Sequence, residues 1–490
     1  MLSSSEPNHA PARWLFGGLL LYFTLQLLVR VWSAQGVELD EAEQLLWTQQ
    51  LAAGYGPQPP LYTWLQLVFF QVFGVSIFAL ALLKNLLLVG TYSCTWLAAR
   101  RVLPPMLAAL SSAALLLMLQ IVWESQRDLT HSVLVTTAAS ATLWLLIELV
   151  QAPPGKPRAH WYAALGLAVA CGLLAKYSFV MFMAAMGGAL LWAPATRQVL
   201  LDRRALWTLA IAALLVAPHA FWVAGHWGSA VHSTAGKLAS DQARGIGQIG
   251  RGLGSLALMV PSFLSPLWLV FALLFGVGWK AQKATCRAGR DPRIAGLFFR
   301  YLLLLAALLI AMVVIGGAAH FKDRWLQPLL VSAPLMFFVA WPGLLHHRRL
   351  RGVAYAALAM ALTCLVLLAL RPWYDGHHGE PGDQNLPIAA LAARIRQAGP
   401  EPAVVVSNEN HLAGSMRLAF TAARIVAPSA AGPTTAPRGP TLLLARADRF
   451  AALRASRAEW AAVEPTLVDV PFDHAAANTP PARFAYALIK

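Results

Sequence analysis

Charged side chains are scarce in this chain of 490 residues: Asp, Glu, Lys and Arg make up 12%, about half of what soluble globular proteins carry. Acidic residues are the scarcest, with 22 Asp and Glu against 38 Lys and Arg. Hydrophobic residues make up 58%, and the mean hydropathy is +0.57. This composition excludes an ordinary soluble globular protein and predicts a polytopic membrane protein.

Cysteine is also rare, with four residues in the whole sequence. Three of them lie in apolar runs and one in a basic loop, and no pair has the spacing of a disulfide framework or a zinc site. The formal net charge of +16 would favour a nucleic-acid partner in a soluble chain. Here the short loops between apolar runs account for the Lys and Arg residues, so we predict no nucleic-acid partner.

Eleven apolar stretches are close to the ~20 residues that a helix needs to cross a bilayer. They are 14–33, 76–98, 103–122, 130–150, 160–175, 177–194, 206–224, 256–279, 297–319, 326–343 and 352–370. The first stretch is too long for a signal-peptide core, and it has Trp32 where cleavage needs a small residue. We therefore predict a retained first helix and about eleven or more transmembrane helices.

Basic residues cluster in alternate loops, which predicts that these loops are cytoplasmic. They are Arg100 and Arg101; Lys156 and Arg158; Arg197, Arg203 and Arg204; the segment 280–293; and Arg348, Arg349 and Arg351. The other side of the membrane, periplasmic if the cell has an outer membrane, then receives segment 34–75, loop 225–255 and everything after Arg371. Within it, 60–74 is short and aromatic, which favours a helix lying at the interface over a further span.

The composition changes after Arg371, where Pro, Gly and His are frequent. We predict a transmembrane domain over 1–371, including segment 34–75 and loop 225–255, and a soluble extracytoplasmic α/β domain over 372–490. Residues 387–399 have the pattern of an amphipathic helix, and AVVVS, RIVA and TLLLAR that of buried strands. The Gly-rich loop 225–255 is either a lid over bound substrate or an ordinary connection.

The unusual polar residues fall on the external side of this topology. They are Asp40, Glu41, Lys84, Arg127, Asp128, His131, Lys176, Lys322 and Arg324. An ionisable group inside the bilayer costs about 2.5–3.5 kcal/mol on insertion scales, so such groups usually line a cavity or form pairs. For Lys84 the alternatives are a site contact, a structural ion pair or snorkelling to the interface.

Each acidic residue also has a structural alternative. Asp40 and Glu41 could be solvated acids in the first turn of a helix, where the helix dipole favours negative charge. Asp128 could pair with Arg127 or cap the next helix. Together with the cations, however, they form a set suited to moving a sugar from a lipid phosphate. That reaction needs a base for the acceptor hydroxyl and positive groups for the departing phosphate, whereas glycoside hydrolysis also needs a carboxylic acid.

Several segments resemble one class of membrane enzymes. LDEAE after the first helix, followed by YGPQPPLYTWLQLVFFQVFGVSIFALAL, is similar to the GT-C membrane glycosyltransferases, in the branch of the protein O-mannosyltransferases and the lipid A aminoarabinose transferase (glycosyltransferase family 39-like). RDLTHS, GLLAKYS and HFKDRWLQPLL also resemble that branch. The resemblance covers roughly residues 14–345 and implies a GT-C fold.

The resemblance implies roles for individual residues. Asp40 would be the catalytic base, Glu41 its neighbour in the signature and Asp128 a second acid of the site. Substrate contacts would come from Lys84, Arg127, His131, Lys176, Tyr177, Lys322, Arg324 and Tyr62. We assign no cofactor, because the acids lack the spacing that would identify a divalent metal site.

The implied function is transfer of a monosaccharide from a polyprenyl-phosphate donor such as undecaprenyl phosphate, with inversion. The acceptor would be lipid A, another glycan, a lipid or a protein at the external face of the inner membrane. A transporter or lipid flippase is the alternative, which predicts internal repeats and charges near the bilayer midplane. A binding protein without catalysis is a third hypothesis, disfavoured by the intact Asp40 and Glu41.

Overall fold

The computed structural model describes residues 10–153, 158–228, 246–277, 279–318, 321–429 and 439–489. Most of loop 225–255, for which we considered a lid, lies outside these residues. Helices dominate the part before the C-terminal sheet. In chain order they are α1 (Ala10–Ser33), α2 (Leu39–Trp47), α3 (Leu61–Phe73), α4 (Ile77–Ala99), α5 (Pro105–Ala113), α6 (His131–Gln151), α7 (Ala159–Ala175), α8 (Phe179–Trp192), α9 (Pro194–Leu201), α10 (Ala205–Gly225), α11 (Ile246–Phe263), α12 (Leu267–Phe275), α13 (Trp279–Arg287), α14 (Pro292–Val314), α15 (Asp323–Leu330), α16 (Ala333–Ala340) and α17 (Arg351–His377).

Six helices in the described residues, α1, α4, α6, α10, α14 and α17, are long and apolar enough to cross a membrane. A seventh results if α8 and α9, which are bent by 119° at their junction, form one span. The count by length and composition is therefore below the eleven expected from apolar runs. The polytopic α-helical architecture itself is confirmed.

Several of the remaining predicted spans are shorter or broken, and proline explains part of this. The predicted span 326–343 is divided into α15 and α16, with Pro328 inside the first and Pro334 at the start of the second. The predicted span 256–279 is divided between α11 and α12 just before Leu267, next to Pro266. Proline has no N–H to donate and clashes with the preceding turn, so an apolar run that contains it need not form one continuous helix.

The predicted span 103–122 is broken differently. After α5 the chain forms a short 3₁₀ helix, Ala114–Leu117, and then a π-helical turn, Gln120–Glu124. The wider turn leads directly into Ser125–Arg127 and Asp128. Short π-helical segments are common at functional sites because they shift the direction of the side chains that follow.

The aromatic segment after the Pro-rich turn is helical, as α3. It begins after Pro60 and ends at Gly74, whose φ of 74° is a conformation that glycine adopts without strain. Four of its side chains, Tyr62, Thr63, Gln66 and Phe70, are buried. That α3 lies in the membrane interface stays a prediction.

A small α/β domain follows α17, as predicted. Its helices are α18 (Ile388–Ala398), α19 (Asn410–Ala419) and α20 (Phe450–Ala455), and its strands are β1 (Val404–Val406), β2 (Arg424–Val426), β3 (Thr441–Arg446), β4 (Thr466–Val470) and β5 (Ala482–Ile489). The strand order is β2-β1-β3-β5-β4, with β1 parallel to β2 and β3, and β5 antiparallel to β3 and β4. The boundary predicted at residue 371 falls inside α17, which continues to His377.

Candidate active site

The short helix α2 carries the Asp40 and Glu41 of the sequence motif at its N-terminus. Glu38 precedes the helix, and its backbone N–H donates to the Glu41 carboxylate at 3.3 Å. This bond satisfies one of the N–H groups that the start of a helix leaves without partners. Asp40 and Glu41 are adjacent, so on a helix with 3.6 residues per turn their side chains point about 100° apart.

The Asp40 side chain lies on a cavity of about 260 Å³ and keeps 21% of its surface exposed. Residues from distant parts of the chain form the walls of this cavity. They are Asp40, Pro57, Gln58, His131, Ser132, Lys176, Tyr177, Ser178, Met181, Met312, Lys322, Arg324 and Trp325. The structure thus brings together six of the residues singled out from sequence: Asp40, His131, Lys176, Tyr177, Lys322 and Arg324.

Among the described residues, the cavity is lined by several cations and by one carboxylate. Lys176, Lys322 and Arg324 line it together with Asp40, and the Arg324 guanidinium lies 3.9 Å from the Asp40 carboxylate. The Lys176 ammonium donates a hydrogen bond of 2.7 Å to the Ser132 hydroxyl. Such an arrangement attracts anionic ligands and leaves a carboxylate positioned against them.

Asp128 holds the backbone of Asp40 through a hydrogen bond. The backbone N–H of Asp40 donates to the Asp128 carboxylate at 3.0 Å, which links the start of α2 to the turn after the π-helical segment. Burial, and then the negative charge of Asp40, raise the pKa of Asp128 to about 7. Around neutral pH a proton on Asp128 therefore relieves the repulsion between the two acids.

Glu41 points away from the cavity into a buried ion cluster. Its two carboxylate oxygens accept from the Arg30 guanidinium at 2.7 Å and from the Lys84 ammonium at 3.0 Å. Burial alone would raise the pKa of Glu41, but the charges and hydrogen bonds of these two cations outweigh it and lower the pKa to about 2. Glu41 therefore stays ionised and joins α1, α2 and α4.

Three residues predicted to touch substrate are placed elsewhere. Lys84 is 2% exposed; its ammonium pairs with Glu41 and donates a hydrogen bond to the Gln126 carbonyl. These contacts match the structural ion pair that was one of the alternatives for this residue. Tyr62 is fully buried, and its ring lies tilted against the His131 ring, with 5.4 Å between ring centroids. Arg127 is part exposed and pairs with Glu124 at 3.0 Å. Of these only Arg127 is open to solvent, and it does not line the cavity.

His131 forms part of the cavity wall as a neutral ring. Its Nδ1 lies 3.2 Å from the Ala175 carbonyl, and its Nε2 lies 3.1 Å from the Gln44 amide nitrogen. The Gln44 amide oxygen in turn accepts from the Thr63 hydroxyl at 2.9 Å. With one nitrogen against an acceptor and the other against a donor, the imidazole carries its proton on Nδ1.

Tyr177 is held in a similar way. Its hydroxyl donates to His219 Nε2 at 3.2 Å, and His219 Nδ1 donates to the Ala53 carbonyl at 2.7 Å. The two rings are stacked, with centroids 5.9 Å apart. Tyr177 and His131 are thus rigid parts of the wall.

Sequence reasoning missed several residues that build the site. Arg30 is a lone cation near the end of an apolar helix, and its position just before the Asp-Glu pair was the available signal. Ser132 follows His131 and Gln58 lies in the Pro-rich turn, but neither residue type signals a site by itself. Within the described ranges, no three His, Cys, Asp or Glu side chains are grouped so as to hold a metal ion.

Comparison with known proteins shows the family to which this chain belongs. Residues 57–222 match the family described as dolichyl-phosphate-mannose-protein mannosyltransferase. The whole chain is 34% identical to the lipopolysaccharide core galacturonosyltransferase RgtB of Rhizobium johnstonii, over 99% of each chain. This chain belongs to the GT-C membrane glycosyltransferases. The family predicted from LDEAE and the segments that resemble its branch is confirmed.

Two further comparisons agree with this glycosyltransferase assignment. The lipopolysaccharide core galacturonosyltransferase RgtA of the same organism is 33% identical, over 89% of this chain and 87% of its own. The fold is that of ArnT from Cupriavidus metallidurans bound to undecaprenyl phosphate, with a TM-score of 0.64 and 16% identity over 98% of both chains. The comparisons support a glycosyltransferase and not the transporter or flippase alternative.

The ion cluster of the glycosyltransferase predicts a large effect of Glu41→Gln on stability. The change leaves Arg30 and Lys84 buried without a carboxylate, which should lower the free energy of unfolding by about 3–5 kcal/mol. Asp469→Asn breaks an exposed pair with Arg483 and is the control, with a much smaller expected loss because solvent screens the pair. Thermal unfolding of the purified variants in detergent measures both, and equal losses would contradict a structural role for the cluster.

Proposed function

We propose that this glycosyltransferase transfers galacturonic acid from a polyprenyl-phosphate carrier to the core oligosaccharide of lipopolysaccharide. Support comes from the two galacturonosyltransferases to which it is similar over 89% of its length or more. The observation that carries the proposal is the position of the Asp40 carboxylate in a cavity lined by Lys176, Lys322 and Arg324.

Asp40 acts as the base in this mechanism. Its carboxylate takes the proton of an acceptor hydroxyl while that oxygen attacks the anomeric carbon of the donor sugar. The bond between the anomeric carbon and the phosphate oxygen breaks, and polyprenyl phosphate leaves with the bonding electrons. Attack from the face opposite the phosphate inverts the configuration at the anomeric carbon.

The cations perform the other half of the reaction. A phosphate is a good leaving group once its growing charge is neutralised, so Lys176, Lys322 and Arg324 take the place of a general acid. A donor with galacturonic acid carries a second negative group, the sugar carboxylate. In the part of the chain that the structure describes, three cations and one carboxylate line the cavity, which matches a donor with these two anionic groups.

Asp128 and Glu41 act indirectly. Asp128 orients Asp40 by accepting a hydrogen bond from its backbone N–H, and the raised pKa of Asp128 lets it hold a proton near neutral pH. Glu41, with Arg30 and Lys84, fixes the direction of α2. Neither role requires contact with the sugar.

The proposal includes the orientation predicted from the basic loops. The transmembrane domain, 1–371, opens the cavity to the periplasmic side of the inner membrane, and residues 372–490 lie on that same side. The acceptor then meets the donor at the external leaflet. The following experiment distinguishes this acceptor from the others, which are lipid A, a lipid or a protein.

The function is tested by mass spectrometry of lipopolysaccharide from cells that lack this protein and are complemented with variants. Wild type should add the mass of one hexuronic acid residue to the core oligosaccharide. Asp40→Asn should lower the transfer rate by about 10²- to 10⁴-fold, because it removes the base and keeps the shape.

Asp202→Asn is the matched control, since this acid pairs with Arg204 in a loop between α9 and α10 and does not line the cavity. It should transfer at the wild-type rate. Near-normal transfer by Asp40→Asn, at equal expression, would rule out the mechanism. A mass gain on lipid A or on a protein, and not on the core oligosaccharide, would overturn the proposed acceptor.

The raised pKa of Asp128 predicts a pH dependence of donor binding. As pH rises through about 7, Asp128 loses its proton and adds a negative charge beside the site. The KM for an anionic donor should then rise about fivefold, which corresponds to about 1 kcal/mol of repulsion. Asp128→Asn keeps the hydrogen-bond acceptor for Asp40 and should show a KM that does not change over the same pH range.

Steady-state kinetics at pH 6 and pH 8 with undecaprenyl-phosphate galacturonic acid measure this effect. At pH 6 the Asn variant should match wild type, because protonated Asp128 is also neutral. A rise in KM that persists in the Asn variant would assign the titration to another group.

A further inference from the structure

The helix that carries Asp40 is held by the C-terminal domain as well as by the membrane helices. α2 has nine residues, so its direction depends on what it packs against. α19 of the C-terminal domain crosses it closely. A methyl group added at Gly414 of α19 would overlap the backbone carbonyl of Ala42, two residues after Asp40.

Arg417, also on α19, binds the other end of α2. Its guanidinium donates to the Leu45 carbonyl and, at 2.7 Å, to the Thr48 hydroxyl. The last carbonyls of a helix have no partner within it, and a cation there also complements the helix dipole. Arg417 therefore stabilises the C-terminal end of the helix that begins with the catalytic base.

The burial of Arg417 makes this contact unusual. The residue is 9% exposed, and among the described residues its hydrogen-bond partners are a carbonyl and a hydroxyl rather than a carboxylate. Burying a guanidinium without a counter-ion is costly. Two groups interact favourably with the charge: the C-terminal carbonyl end of α2, and the Phe70 ring of α3, whose centroid lies 5.8 Å from the guanidinium.

Further contacts fix the same helix at both ends. His411 of α19 lies with Nε2 2.6 Å from the Val37 carbonyl, just before α2. After α2, the Gln49 side chain exchanges two hydrogen bonds with the backbone of Ile425 in β2, at 3.0 and 2.7 Å. The Trp47 indole donates to the Ser429 carbonyl at 3.0 Å.

We infer that Arg417 is a positioning residue for the transfer reaction: by fixing α2 from the C-terminal domain, it holds Asp40 toward the donor and acceptor. The inference rests on the proposed role of Asp40 as base. It makes the C-terminal domain part of the catalytic apparatus, whatever else that domain binds.

The test compares Arg417→Gln, Arg417→Lys and Gly414→Ala in the full-length protein. Its matched control is Arg396→Gln, since Arg396 also binds the C-terminal end of α19, at the Ala419 carbonyl, and stacks on Phe420, but it makes no contact with α2. The donor is undecaprenyl-phosphate galacturonic acid, and the acceptor is core lipopolysaccharide from cells lacking this protein. The readouts are kcat, donor KM and the apparent melting temperature.

Arg417→Gln should lower kcat by about 10- to 100-fold at unchanged donor KM, as a displacement of about 1 Å of a catalytic group does. Arg417→Lys should recover part of the loss, because an ammonium can still donate to the Leu45 carbonyl. Gly414→Ala should lower kcat in the same selective way with Arg417 intact. The control should keep the wild-type kcat.

Two results would overturn the inference. One is a wild-type kcat for Arg417→Gln. The other is a loss of kcat in Arg417→Gln and Gly414→Ala that is proportional to the fall in melting temperature, with an equal loss of kcat in Arg396→Gln. Asp40→Asn is assayed alongside: if it is inactive, such a result removes only the role of Arg417, whereas an active Asp40→Asn removes the proposed mechanism itself.

Discussion

The site depends on one buried interaction, the ion cluster of Glu41 with Arg30 and Lys84. Because a buried carboxylate is tolerated only with partners of good geometry, the cluster specifies where α2 lies relative to α1 and α4. Once α2 is fixed, the helical turn directs the preceding residue, Asp40, about 100° away and into the cavity. Two adjacent acids thus have different surroundings: Glu41 lies in the buried ion cluster, and Asp40 faces the cavity.

Three independent parts of the chain converge on Asp40, which we propose as the base. The turn after the π-helical segment supplies Asp128, the cavity walls supply Lys176 and Arg324, and the C-terminal domain supplies Arg417 at the far end of α2. A rigid base beside preorganised cations is what transfer from a lipid phosphate requires, since both groups must already be in place when charge develops. The 34% identity to a galacturonosyltransferase over 99% of both chains fits this arrangement.

The sequence predicted the fold class, the family and six residues of the cavity, because scarce charges in an apolar chain are informative. It did not predict on which side of α4 Lys84 would lie. The position of a residue along a helix gives its depth in the membrane but not the direction of its side chain around the helix axis. Apolar runs also do not reveal backbone breaks, so spans such as 326–343 were expected to be continuous. Arg417 had no signal at all, because its partner is a backbone carbonyl some 370 residues away.

The central claim is that a lipid phosphate lies beside Asp40 in the cation-lined cavity. The most direct measurement is an experimental structure of the protein with undecaprenyl phosphate bound. The account predicts the phosphate within hydrogen-bond distance of at least two of Lys176, Lys322 and Arg324, about 2.7–3.2 Å, with the Asp40 carboxylate facing the space next to it. A phosphate bound elsewhere, with this cavity empty, would contradict it.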